Sequence, residues 1–242
     1  MLENFYAIFT VDGFISLITL TFLEIILGID NIIFISIVST KLPRAEQAKA
    51  RAWGLSMALI FRIALLFSIT WIIGLKEPFF YISTFGVTGK DIILLAGGVF
   101  LIVKTIMEIV EKINDKHTKD KNFAGLTLRS AILQIVFLDI IFSFDSILTA
   151  VGLVRNVLLM VLAVVIAMIA MLIFSEKVSD FINKHPTVKM LALAFLVMIG
   201  IVLVAEGLHF HIEKGYVYVA LLFSLAVELL NMAYRSKTHK KQ

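Results

Sequence analysis

Two ten-residue stretches of this chain place acids inside otherwise apolar sequence. The first reads Phe22-Leu23-Glu24-Ile25-Ile26-Leu27-Gly28-Ile29-Asp30-Asn31, and the second Phe137-Leu138-Asp139-Ile140-Ile141-Phe142-Ser143-Phe144-Asp145-Ser146. Acid matches acid at Glu24 and Asp139, and a small residue matches a small one at Gly28 and Ser143. Asp30 matches Asp145, and a small polar residue follows each, Asn31 and Ser146. Carboxylates, an amide and a hydroxyl are hard oxygen donors, the set that suits Mn²⁺, Mg²⁺ or Ca²⁺. The chain has no cysteine, which excludes disulfides, thiolate sites for Zn²⁺ or Cu⁺, and cysteine nucleophiles. His117, His185 and His239 fall in polar segments, and His209 and His211 at the edge of an apolar one.

A carboxylate at the centre of a membrane helix costs about 2.5–3.5 kcal/mol on insertion scales. Such acids must face a bundle interior and be neutralised by protons, by bases or by a cation. Bases within the apolar stretches are few: Arg62 and Lys104, against Glu24, Asp30, Asp139, Asp145 and Glu228. Three readings stay open on the residues alone: cation binding, structural ion pairing, and a proton relay in which buried carboxylates titrate near neutral pH. Arg62 is a candidate counter-ion that leaves when a cation arrives, or else a fixed structural partner. Lys104 and Glu108 stand four apart and pair on one helix face; Glu228, with Glu206, is a candidate for lining an access path. Residues six apart differ by about 240° around a straight helix, so Glu24 and Asp30 do not share a face unless the helix breaks. Gly28 and Ser143 are the expected break points, where freed carbonyls would add oxygen ligands.

The elements that carry these residues are membrane helices. With 60% apolar and 17% charged residues, the chain is too apolar for a soluble domain, in which about half the residues are apolar. Seven stretches have the length of a spanning helix: Phe14–Val38, Gly54–Gly74, Ile92–Val110, Leu126–Val151, Val157–Phe174, Val188–His209 and Tyr216–Tyr234. The start, Met1 to Gly13, lacks a basic n-region and a small-residue cleavage site, so the first stretch reads as a retained helix. Lys41, Arg44, Lys49, Arg51, Lys112, Lys116, Lys119, Lys121, Lys177, Lys184, Lys189, Arg235, Lys237, Lys240 and Lys241 lie on one side of such a bundle. Lys76, Lys90, Arg155 and Lys214 lie on the other. This bias of roughly fourfold predicts the N-terminus outside and the C-terminus in the cytoplasm of a plasma membrane. The net charge of +4 therefore reads as an orientation signal and not as a nucleic-acid footprint.

The expected fold class is an all-α membrane protein of seven transmembrane helices, two inverted-topology three-helix repeats plus a seventh helix. Residues 1–110 form the first repeat, 111–125 a Lys- and Asp-rich cytoplasmic linker, 126–212 the second repeat, and 213–242 the seventh helix and tail. A second echo, Leu95-Ala96 with Glu108 against Leu193-Ala194 with Glu206, supports the repeat. Three helices per half make the second half enter from the opposite side, a plan of secondary transporters with sites near the bilayer midplane. Glu24 and Asp139 then fall near mid-membrane, with Asp30 about 9 Å toward the cytoplasm and Asp145 about 9 Å toward the outside. Gly97-Gly98 and the series Ala163, Ala167 and Ala170 are expected to serve close helix packing.

The paired motif, Leu23 to Asn31 with Leu138 to Ser146, together with the run from Gly97-Gly98 to Glu108 and on to the last apolar stretch, resembles the TerC family of integral membrane proteins. The resemblance covers almost the whole chain. It implies a seven-helix protein associated with manganese efflux, in a wider exporter superfamily related to the LysE amino-acid exporters. The family name comes from tellurite resistance, and some members are linked to supplying metal to exported enzymes. It implies a metal role for Glu24, Asp30, Asn31, Asp139, Asp145 and Ser146, with Mn²⁺ as the substrate. No Gly-rich nucleotide loop is present, so transport would draw on a gradient of protons or sodium, or be facilitated flow. The rivals are export of an amino acid or an oxyanion, whose site should be rich in bases or helix N-termini; an intramembrane aspartyl protease; and metal delivery to an exported metalloenzyme partner. No enzymatic activity is expected. Partners are the lipid bilayer, the divalent cation and, unresolved by sequence, a second copy of the chain.

Overall fold

Helix starts follow local signals. Thr10 accepts the Gly13 N–H on its hydroxyl oxygen at 3.1 Å, Asn156 Oδ1 takes the Leu158 N–H at 3.0 Å, and Pro186 opens a helix where a missing N–H does no harm. The computed structural model describes residues 10–68, 78–82, 85–114, 126–153 and 156–239. In chain order the helices are α1 (Val11–Leu27), α2 (Ile29–Ser39), α3 (Arg44–Phe67), α4 (Gly89–Asn114), α5 (Leu128–Leu153), α6 (Val157–Lys184), α7 (Pro186–Gly207) and α8 (Lys214–His239). A short antiparallel hairpin, β1 (Pro78–Ile82) and β2 (Phe85–Thr88), precedes α4. The all-helical expectation did not include this hairpin; Phe79, Tyr81 and Val87 give the segment the aromatic and β-branched character that strands favour.

Five helices are long and apolar enough to cross a membrane among the described residues: α3, α4, α6, α7 and Gly215–Arg235 of α8. The α1–α2 pair makes a sixth if it counts as one bent span. The fourth expected stretch, Leu126–Val151, corresponds to α5, which carries Asp139 and Asp145. Residues 69–74 of the second stretch, the linker from residue 115 onward, the first nine residues, Arg155 and the last three residues lie outside the described residues. Glu111 to Asn114, expected in the linker, continue α4 as its last turn, since they contain no Gly or Pro to stop it.

The acid-bearing stretches fold differently. Between α1 and α2 stands Gly28 alone, and the axis bends there by 40°. Its N–H bonds Ile25 O at 3.2 Å, so the usual partner four residues back, Glu24 O, is not engaged, and the helix resumes with Ile32 N–H on Gly28 O at 3.0 Å. A side chain has no room here: a Cβ would run into Met171 Sδ of α6 and sit 3.0 Å from Glu24 O. In the other stretch α5 passes Ser143 without interruption. The break expected at Ser143 is therefore corrected. Its hydroxyl is satisfied inside the helix by Asp139 Oδ2, four residues back, at 3.1 Å, which removes the competition that takes serine out of helices.

The chain divides into two compact units, Met1–Lys90 with Asn122–Asp180, and Asp91–Lys121 with Phe181–Gln242. In the first, α3 packs most extensively on α5, and α2 packs on both. In the second, α4 and α7 touch through backbone. A Cβ on Gly98 would fall 2.7 Å from Gly200 O, and one on Gly200 2.6 Å from Ile102 Cγ1. Small residues permit this approach where lipid gives helices no hydrophobic reason to associate.

Candidate cation site

The first unit buries a polar cluster in an apolar setting. Arg62 projects from the buried stripe of α3 that also holds Gly54, Leu55, Ala58 and Leu66. Its Nη1 donates to Glu24 Oε2 of α1 at 2.7 Å, its Nη2 to Asp139 Oδ1 of α5 at 2.9 Å and its Nε to Asp139 Oδ2 at 3.2 Å. Asn31, in the first turn of α2, donates from Nδ2 to Asp139 Oδ1 at 2.9 Å. With the Ser143 hydroxyl, Asp139 accepts four hydrogen bonds and Glu24 one. Glu24, Arg62 and Asp139 are each no more than 3% exposed. Ion pairs of this kind hold only when geometry and hydrogen bonding satisfy both partners, and the bidentate fork of Arg62 on Asp139 does so.

Asp30 is buried on α2 and interacts electrostatically with Arg62. Three carboxylates thus act on one guanidinium, an excess of two negative charges when all are ionised. Ser146 is buried and donates to Ser143 O at 3.1 Å. The backbone of Asp145 continues α5, and its side chain lies outside the described residues. Among the described residues no three of His, Asp and Glu stand close enough to hold one metal ion. The guanidinium of Arg62 occupies the space between the two acids.

Lys104, Glu108 and Glu228 belong to the second unit. Lys104 is exposed, with Nζ 6.0 Å from the Phe100 ring centroid. Glu108 is buried, and Glu228, half-buried, accepts a hydrogen bond from Thr187 Oγ1. The second unit also holds a pair that sequence reasoning missed. His209 Nε2 lies 2.9 Å from Asp91 Oδ2, joining the end of α7 to the start of α4. His209 takes the left-handed conformation, φ 65°, just past α7, the position usually given to glycine. Nothing in the linear spacing of 118 residues could signal that contact.

Large apolar side chains stand at the surface, with Phe22, Ile60, Leu133, Phe223 and Leu230 all more than half exposed, while Glu24, Asp30, Arg62 and Asp139 are buried. That inversion defines an integral membrane protein with a polar centre, of a transporter-like build. The chain belongs to the TerC family of integral membrane proteins, whose family model matches residues 9–242. It is 47% identical over 230 residues to the UPF0053 inner membrane protein YgdQ of Escherichia coli strain K12, covering 93% of this chain and 95% of that one. It is 45% identical over 225 residues to a UPF0053 protein of Haemophilus influenzae, with the same coverage. The UPF0053 inner membrane protein YoaE of E. coli strain K12 is 46% identical over 220 residues, 90% of this chain but 42% of that longer protein. No solved structure matches the chain.

Proposed function

We propose that this protein exports a divalent cation, Mn²⁺ first among them, from the cytoplasm by alternating access at the Glu24–Asp139 site. The observation that carries the reading is the meeting of Glu24 and Asp139, the equivalent acids of the two motifs, across one guanidinium. With Arg62 moved aside, one divalent cation balances the two charges of Glu24 and Asp139. Cation entry displaces Arg62, because Asp139 has both oxygens committed and a metal cannot share them with a positive guanidinium at 2.9 Å. Asn31, Ser146, Asp30 and Asp145 supply further oxygens along the path, Asp30 on the cytoplasmic side and Asp145 on the outer side. The choice of Mn²⁺ rests on the resemblance to manganese-efflux proteins, since the residues themselves specify only a hard cation.

The same reading takes the protein as seven helices in two inverted repeats plus one, N-terminus outside and C-terminus cytoplasmic. The motif symmetry and the lysine and arginine bias support it. Uptake of Mn²⁺ into everted membrane vesicles tests it. Asp30→Asn and Asp145→Asn are each expected to lower the initial rate by about tenfold or more, ~1.4 kcal/mol in site affinity. Unchanged rates in both variants would remove the site assignment.

A further inference from the structure

A hydroxyl inside an apolar helix ordinarily bonds a carbonyl of the preceding turn, because no water is at hand. Ser36, Ser39, Ser146 and Ser175 all do so, each donating to a carbonyl three or four residues back at 2.7–3.1 Å. Ser143 bonds the Asp139 carboxylate instead. Thr21 of α1 and Ser179 of α6 do neither. Each hydroxyl oxygen is buried and has no hydrogen-bond partner among the described residues. Ser179 lies in the last turns of α6, where its neighbours in sequence, Glu176, Lys177 and Asp180, are exposed. Thr21 stands one turn from Glu24, on the helix that carries the first acid of the polar cluster.

That helix fixes where Thr21 is. Residues three apart are neighbours on a helix surface, with Cβ atoms about 5–6 Å apart. Long helical side chains lean back over the turn before them, so Glu24 reaches over the turn that holds Leu20 and Thr21. The Thr21 hydroxyl has the hydrogen to donate to that carboxylate and does not donate it. Glu24 takes one hydrogen bond, from Arg62 Nη1 on Oε2, and Oε1 takes none among the described residues. Two oxygens one turn apart are therefore unengaged, and they do not bond each other. A buried hydroxyl with nothing to bond is costly. A hard cation beside them engages both, since each offers it a lone pair. The second motif has Val136 at the corresponding position, so this hydroxyl belongs to the kinked motif alone.

We propose that Thr21 Oγ1 is a ligand of the transported cation, next to Glu24 Oε1 on the same helix face. The inference rests on the export reading of the Glu24–Asp139 site and adds a residue to it. A hydroxyl suits the place because it is neutral and hard. It adds an oxygen to the coordination shell and leaves one divalent cation balanced against two carboxylates.

The test is Mn²⁺ binding to the full-length protein in detergent, followed by electron paramagnetic resonance, beside thermal unfolding without metal. Thr21→Val keeps the branched shape and installs the residue of the second motif; it should weaken Mn²⁺ binding about tenfold. Without metal it should unfold at the wild-type temperature or higher, because no hydrogen bond is lost. Thr21→Ser keeps the hydroxyl and should bind within about threefold of wild type. Thr21→Cys puts a soft sulfur into a chain that has no cysteine. It should shift the preference from Mn²⁺ toward Cd²⁺ by about tenfold or more, with a sulfur-to-metal absorption band. A purely structural hydroxyl would leave that preference unmoved, so an unchanged preference would overturn the assignment. Wild-type Mn²⁺ affinity in Thr21→Val would overturn it as well. So would a Thr21→Val protein less stable than wild type without metal, since the hydroxyl would then be held by water. Absence of saturable binding in the wild type would remove the export reading and this ligand together, whereas full binding by Thr21→Val removes the ligand alone.

Discussion

The two acidic motifs share residue types and spacing but not backbone. The first is split at Gly28, where a one-residue kink turns Asp30 and Asn31 onto a new helix axis. The second runs straight through Ser143 along α5. Their acids are held differently as well. Asp139 is gripped by Arg62 twice, by Asn31 and by Ser143, whereas Glu24 accepts only Arg62 Nη1. A motif on a rigid helix with a saturated carboxylate faces a motif on a kinked helix with an under-used one. The first motif is therefore the half that moves in the transport reading, and the second is the half that anchors.

That contrast makes graded predictions. The largest effect is expected at the anchor. Asp139→Ala leaves Arg62 mostly unpaired in a dry interior and should destabilise the purified protein by about 3–5 kcal/mol. Glu24→Ala removes one hydrogen bond and should cost about 1–3 kcal/mol. Equal losses in thermal unfolding would erase the distinction. Next comes the kink. Gly28→Ala forces a Cβ against Met171 and should cost about 1–3 kcal/mol, partly recovered in the Gly28→Ala/Met171→Ala pair. Its counterpart Ser143→Ala loses one hydrogen bond, about 1 kcal/mol, with no second-site rescue through Met171. Smallest are the trailing polar residues. Asn31→Leu, which strips a donor from Asp139, should cost about 1 kcal/mol. Ser146→Ala touches only a backbone carbonyl of its own helix and should stay within about 0.5 kcal/mol. A Ser146 effect as large as that of Asn31 would mean the motifs are more alike than their backbones.

Much of this was legible in the sequence. The acids announce themselves because carboxylates in apolar helices are costly, and their pairing because the two motifs match position by position. The kink at Gly28 was readable from the mismatch between six-residue spacing and helical period. Ser143 misled because a small residue signals a break only when its hydroxyl has nothing to bond, and Asp139, one turn away, supplies that partner. Arg62 stood out as a scarce intramembrane base, but its position between Glu24 and Asp139 depends on how α1, α3 and α5 pack. No single sequence gives that. For the same reason the His209–Asp91 contact was out of reach.

The central claim is that a divalent cation and Arg62 compete for Glu24 and Asp139. Electron paramagnetic resonance of Mn²⁺ titrated into the purified protein measures this directly, since free and bound Mn²⁺ differ in signal. Wild type should bind Mn²⁺ saturably, the Glu24→Gln/Asp139→Asn double variant should not, and Arg62→Met should bind at least about tenfold tighter because a competing positive charge is gone. Binding that survives in the double variant, or weakens when Arg62 is removed, would contradict the account.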